Sequence, residues 1–472
     1  MPVRLRRSMV ALATLVGVSG PAMAGANEST ESLLEIYRQA EQADPELRGQ
    51  HLEHEALLQD RRAALGALLP SAQISAEIRY TDRDEERAGQ MGPAEQHERT
   101  FTQEQYMLNL SQPLFDLPAW HEWQGSQRSA DAGQAELEAR RQDLIHRVAE
   151  AYLGVLDAQT NVELQERELE AVQASLRQAD ALHEAREIAT SEYEQARARY
   201  DNVRAALIRA EGELEVAHEQ LAELTDRRHY NLATLRSDAE LPPLDPPELD
   251  IWLEHAFAGN PELIAARAEL AAEGRQAQAA SAQRYPTVDL VGGYTRFDDA
   301  GNVDLDDPDD AELNARQLDD LYIGVQIQMP LFEGGSINAR ARGAERRHDR
   351  QREQVEQVRR GVRSEARSAF QGILSGRSQI EAYQVAVRSG ERTVQAMQDE
   401  VEAGTRDVTD LLEAQRELFE SRRNLAEARH QYLLDTLKLR RAAGHLGGED
   451  VRALDALFSA GAVAANAAAQ GR

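Results

Sequence analysis

The 472-residue chain contains no cysteine. That excludes disulfides, thiolate metal sites and cysteine nucleophiles. Lipid attachment at an N-terminal cysteine is excluded too. Aromatic residues make up only 5% of the chain, which suits helix–helix packing better than an all-β core. Lys438 is the single lysine, and the formal net charge is −29. A polyanion needs a basic patch and none stands out, so nucleic acid is not an expected partner. Gly-rich phosphate loops, P-loop lysine motifs and nucleophile elbows are missing. No enzyme activity and no cofactor are therefore expected. The 12 histidines are scattered. His51 and His54 are three apart on a helical pattern but lack a third ligand, so no metal site is assigned. Nowhere does an apolar run approach 18 residues, so no transmembrane helix is expected.

What is present begins with an export signal. Arg4, Arg6 and Arg7 precede an apolar stretch from Met9 to Val18, and Ala22-Met23-Ala24 fits a small-x-small cleavage site. Residues 1–24 are read as a signal peptide, whose removal makes the chain more acidic still. An exported chain without a transmembrane helix can enter a membrane only through β-strands.

The dominant pattern is a heptad between Ala119 and about Arg186. Val148, Val155, Val162, Leu169 and Leu176 fall on one series. Leu137, Leu144, Ala151, Ala158 and Val172 fall on the interleaved one, broken by Gln165. This predicts a helix of about 70 residues and about 100 Å, supercoiled against partners. Before it, a helical pattern runs from Ser32 to Leu69 and restarts at Asp44-Pro45-Glu46-Leu47. Ile74, Ala76, Ile78 and Tyr80 then alternate with polar residues as a strand. A polar loop is expected from Thr81 to about Thr102. Tyr106, Leu108 and Leu110 mark a second strand, closed by Gln112-Pro113-Leu114-Phe115. Trp120 and Trp123 follow, residues suited to a membrane interface or to packing. A returning helix is expected from Glu192 to about Thr225, with Ser191 as its N-cap.

The whole order then recurs. Asn260-Pro261-Glu262-Leu263 repeats Asp44-Pro45-Glu46-Leu47 at an offset of 216, and Met329-Pro330-Leu331-Phe332 repeats Gln112-Pro113-Leu114-Phe115 at 217. Val288, Leu290 and Tyr294 replay the first strand; Ile323, Val325, Ile327 and Met329 replay the second. At 218, the first heptad series becomes Ala366, Ile373, Ile380, Val387 and Val394. Such self-similarity marks a duplication. The chain divides into 25–228 (with a β-hairpin at 72–113), a Pro-rich segment at 229–250, a second repeat at 251–441 (hairpin 287–330), and a C-terminal part at 442–472. The acidic stretch 297–320 reads as an external loop. The tail from Ala460 reads as loosely attached.

Strands of about nine residues with one apolar face suit a transmembrane β-barrel, which must close to leave no open edge. Two hairpins are too few to close one alone, so several chains must contribute. A soluble β-domain would show similar alternation.

At this point the chain resembles the TolC family of outer-membrane channels. The resemblance spans about Ser32 to Leu457. It rests on the duplicated helix–hairpin–helix order, the Pro-Leu-Phe strand ends, the run Gly404-Thr405-Arg406-Asp407-Val408-Thr409-Asp410-Leu411-Leu412-Glu413-Ala414, and the stretch from Leu425 to Leu434. It implies a mainly α fold with a small β part: a homotrimer with a 12-stranded barrel continued by a coiled-coil tunnel through the periplasm. It implies a passive exit duct in the outer membrane, joined to a periplasmic adaptor and an inner-membrane pump of ABC, RND or MFS type. Drugs, other small molecules or proteins would pass through it. It also implies site roles. Asp410 and Glu413 match acidic positions at the narrowest point, although the family usually has Asp at the second. Two carboxylates from each chain would favour cations there. Arg406 matches a latch arginine, with Ser191 and Glu192 as its partners on the other turn. Val401 stands where the family often has a latch tyrosine, which predicts a weaker latch. A periplasmic coiled-coil adaptor is the alternative, but such proteins usually carry one helical hairpin and no duplicated strands.

Overall fold

Short helices start each half of the molecule, and their caps show why. Helix α1 (Leu33–Ala43) opens with a capping box: Ser32 accepts from the Glu35 amide, and Glu35 accepts from that of Ser32. Helix α2 (Pro45–Gly66) follows at once, with Asp44 accepting from the Leu47 amide at 2.8 Å and Pro45 in the first turn. In the second half, α5 (Leu249–Gly259) leads into α6 (Pro261–Ala282), and Asn260 accepts from the Leu263 amide at 3.0 Å. The paired helices match in length, 11 residues for α1 and α5, 22 for α2 and α6. The computed structural model describes residues 30–87, 95–236, 239–302, 316–403, 405–406 and 408–459. The expected signal peptide at 1–24, the middle of the acidic stretch and the alanine-rich tail lie outside the described residues.

Two hairpins follow these helices. Strands β1 (Ser71–Arg87) and β2 (Glu95–Phe115) pair without interruption from Ser71↔Ser111 to Arg87↔Glu95. Strands β4 (Thr287–Asn302) and β5 (Arg316–Gln328) pair likewise. All four join in one antiparallel sheet, ordered β1-β2-β4-β5. The strands run 17, 21, 16 and 13 residues, well past the expected nine. Much of the expected loop at 81–102 is therefore ladder, as are Asp298, Asp299, Asp319 and Asp320 of the acidic stretch. The reason is physical. Alternating hydrophobicity marks only the length over which one face meets an apolar medium. Backbone pairing needs no such signal, and the ladders continue past the alternating residues.

The long helices come next. Helix α3 (Leu117–Glu184) has 68 residues and α7 (Ser336–Glu402) has 67. Their returning partners are α4 (Thr190–Thr225) and α8 (Val408–Ala442). Helix α4 starts just before the expected Ser191 cap. Ala189 occupies the cap position without a side-chain bond. The reversal is made instead by Arg186 in a left-handed conformation (φ 63°), while the Thr190 hydroxyl lies 3.1 Å from His183 Nε2.

Two tiers of helices result. Near the sheet the order is α2–α3–α6–α7; at the far end it is α4–α3–α8–α7. Only α3 and α7 run through both. Between the tiers lies the main core. Leu144, Val148, Tyr152 and Val155 of α3 meet Leu33 and Ile36 of α1 and Leu433 and Leu437 of α8. Of the first heptad series, Val148 and Val155 are buried, but Val162, Leu169 and Leu176 are only half-buried. The connecting segments wrap this level. Strands β3 (Thr234–Leu235) and β6 (Phe458–Ser459) pair, with α9 (Gly448–Asp455) between α8 and β6. The Tyr152 hydroxyl donates to Ala233 O at 2.6 Å, Trp252 to Pro246 O at 2.8 Å, and Tyr432 to Pro242 O at 2.7 Å.

Charge is threaded through the same level. Arg147 donates to buried Asp44 and to Asp143; Arg441 donates to Asp143 at 2.7 Å and also reaches Glu365. Asp44 thus both caps a helix and anchors an arginine. Asp44→Ala should lower the unfolding free energy by about 3 kcal/mol, and Asp44→Asn, which keeps the cap, by clearly less. Denaturant unfolding followed by circular dichroism in detergent measures both; equal losses would assign the whole effect to the charge.

His146 sits beside this network with its Nε2 buried and unpartnered. Burial pushes its pKa down to about 4, with Arg441 and Lys438 acting in the same direction. Between pH 6.5 and 4 the unfolded chain takes up a proton that the folded chain refuses. Stability must therefore fall as pH drops through this window, by about 3 kcal/mol in all. A His146→Met variant should show a flatter profile in pH-dependent unfolding.

Candidate channel wall and helix turns

The sheet exposes a continuous apolar face. Cross-strand rows read Ala72, Leu110, Gly292, Ile323 and then Ile74, Leu108, Tyr294, Leu321. Ile74 is 78% exposed, Leu321 and Ile323 80% each. Large apolar residues at such exposure fit contact with lipid rather than with water. Towards the helices, Leu331 and Phe332 extend this surface into the turn before α7. Trp120 and Trp123 pack against each other at the same level, ring centroids 5.0 Å apart. The opposite face is mostly polar, with Gln73, Ser75 and Glu77 facing across to Asn109, Met107 and Gln105. Gly293 is there because Tyr322 lies flat over it: an added Cβ would stand 2.5 Å from the ring. Among the described residues, no helix is long and apolar enough to cross a membrane.

At the far end lie the two helix turns. Ser191 and Glu192 are exposed in the first turn of α4, beside a stacked pair of rings, His183 and Tyr193, 5.1 Å apart. Val401 is half-buried in the last turn of α7. Arg406 donates through Nη1 to Asp410 Oδ2 at 3.0 Å, and its Nε lies 3.2 Å from Glu400 Oε2. These acids hold its pKa above the ordinary arginine value, the hydrogen bond to Asp410 contributing most. The structure thus brings Arg406 to its own turn, and Ser191 and Glu192 stay on the other one. Arg406 lies in the bend between α7 and α8, close enough in sequence for its guanidinium to reach Asp410 in the first turn of α8 and Glu400 at the end of α7. Glu413 is bonded to Arg416 at 2.5 Å. The role of Arg416 was legible as an i,i+3 pair but was not drawn from the sequence. His51 lies 3.7 Å from Glu55, and among the described residues no cluster of three or more His, Cys, Asp or Glu could hold a metal.

A half-sheet with a lipid-facing side, continued into two tiers of helices, is the build of an outer-membrane channel subunit. Comparison with known proteins agrees. The family model described as outer membrane efflux protein matches residues 36–226 and 252–445, and the chain belongs to that family. It is 29% identical to the outer membrane protein TolC of Vibrio cholerae over 90% of this chain and 93% of that protein. It is 27% identical to the alkaline protease secretion protein AprF of Pseudomonas aeruginosa, covering 91% and 88%. Its fold is similar to the Campylobacter jejuni CmeC outer membrane channel, with a TM-score of 0.74 and 16% identity over 95% of this chain and 98% of that one. The protein is an outer-membrane exit duct; its family is one of channels and not of enzymes.

Val401 leaves the α7 turn without a tyrosine hydroxyl. A Val401→Tyr variant should lower the open fraction in single-channel recordings; unchanged or increased conductance would exclude a latch at this position.

Proposed function

We propose that three copies close into a 12-stranded barrel above and a continuous helical tunnel below, forming a passive conduit. One observation carries this reading: the sheet and both helical tiers leave matching edges open. β1 and β5 end the sheet, α2 and α7 end the upper tier, and α4 and α7 end the lower. One rotation can join all three. The lower edges also match in height. Ile208 of α4 and Val385 of α7 are 61% and 53% exposed, each about 26 Å from its helix turn. Val216 and Leu374 form a second such pair, about 40 Å from the turns. Exposed apolar side chains at equal height on two open edges suit a seam between copies.

In this reading 25–228 and 251–441 act as two repeats of the wall, and 229–250 with 442–472 form a belt at mid-height. Asp410 and Glu413 lie at the narrowest point, and Arg406, Val401, Ser191 and Glu192 form the gating turns. A periplasmic adaptor docks on the helices and links the duct to an inner-membrane pump of ABC, RND or MFS type, which supplies the energy. Relatives named for protease secretion and for efflux support cargo that is either protein or small molecule. Outer-membrane lipid covers the apolar face.

The test is conductance of the purified protein in planar bilayers, together with migration on unheated gels. Discrete steps from a heat-sensitive trimer are expected. Ile208→Asp with Val385→Asp should dissociate the trimer and abolish the steps. A folded protein that never inserts would overturn the reading.

A further inference from the structure

The carboxylates at the helix turns are not free. Asp410 is held by Arg406 from the preceding turn, and Glu413 by Arg416 one turn further along α8. All four side chains are about half exposed. Exposed pairs of this kind contribute little to stability, so folding alone does not account for them. Their effect is on the field. A carboxylate with a guanidinium within hydrogen-bond reach acts at a distance as a dipole, which fades faster than a lone charge. Arginine keeps its proton at any accessible pH, so the compensation is permanent. Two carboxylates and two guanidinium groups per chain therefore give no net charge from these four side chains, and Glu400, which shares Arg406, leaves one negative charge per chain where bare carboxylates would leave three.

We propose that Arg416, together with Arg406, sets the charge selectivity of the constriction, making it a ring of ion pairs that discriminates weakly between cations and anions. This rests on the reading that Asp410 and Glu413 line the narrowest point. It departs from the expectation of a cation-favouring acidic ring, which counted the carboxylates and not their partners. The class of cargo follows. A ring of bare carboxylates in a chain of net charge −29 would repel anions. A ring of pairs lets anionic and zwitterionic molecules through, including acidic polypeptides. Arg416 is the specificity-determining residue because among the described residues it is bonded to Glu413 alone, whereas Arg406 also serves Glu400.

The experiment is the reversal potential of the trimer in planar bilayers across a KCl gradient. Wild type is compared with Arg416→Gln, Arg416→Lys, and a charge-neutral pair, Asp410→Asn with Glu413→Gln. Migration of the unheated trimer confirms assembly of each, and Arg416→Lys keeps the charge if Arg416→Gln assembles poorly. Wild type should be weakly selective, Arg416→Gln severalfold more cation-selective, Arg416→Lys close to wild type, and the neutral pair shifted towards anions. A neutral pair that shifts selectivity while Arg416→Gln leaves it unchanged overturns the inference and keeps the constriction at Asp410 and Glu413. If neither variant moves the reversal potential, the constriction lies elsewhere and both readings fall.

Discussion

The backbone of the edge strands governs this molecule. β1 and β5 each present a row of unpaired amides and carbonyls along a sheet whose outer face is apolar. In hydrocarbon no water reaches such groups, and each one left unsatisfied costs several kcal/mol. The chain cannot meet that demand alone, because four strands are too few to curl shut. The helical tiers repeat the condition in side chains rather than backbone: α2, α4 and α7 carry edges that their own chain does not cover. In the proposed assembly the sheet, the helical tiers and the apolar residues at matched heights are answers to one requirement.

The two halves carry equivalent elements, and they differ where they meet. Asp44 and Asn260 cap equivalent helices in the same way. Only the charged one needs an arginine beneath it, and Arg147 fills that place. The equivalent of Arg147 in the second repeat is Glu365, which turns to Arg441 instead. The same backbone position therefore bears opposite charges in the two halves. The Asp143 carboxylate, between Arg147 and Arg441, ties them together. A symmetric pair of repeats could not have built that chain of ion pairs.

Much of this was legible in the sequence. The heptads, the repeated Asp/Asn-Pro-Glu-Leu caps and the Pro-Leu-Phe strand ends located the elements, since each reflects a local constraint. Strand length was not legible, because β1 and β2 run on as ladder after the apolar alternation stops. The Ser191 cap misled: a good capping residue stood two positions past Ala189, where the cap falls after the left-handed Arg186 has reversed the chain. At the turns, the family match expected Ser191 and Glu192 as partners of Arg406; within one chain its bonds run to Asp410 and Glu400. Asp410 lies four residues away, in the first turn of α8, and within one chain it is in reach of the Arg406 guanidinium. Arg416 was overlooked because the carboxylates were counted as a ring before their neighbours on the helix were read.

Of all the helices described, α3 and α7 alone continue from one tier into the other. The rest stop at the belt and change partners there. Mechanically, these two act as drive shafts. If a partner grips the turns as proposed, torque applied there has only these unbroken rods among the described helices by which to reach the strands, and the connecting segments packed at mid-span act as a bearing that steadies them. A glycine or proline placed within the belt-level part of either rod would therefore uncouple the two ends while leaving each tier intact.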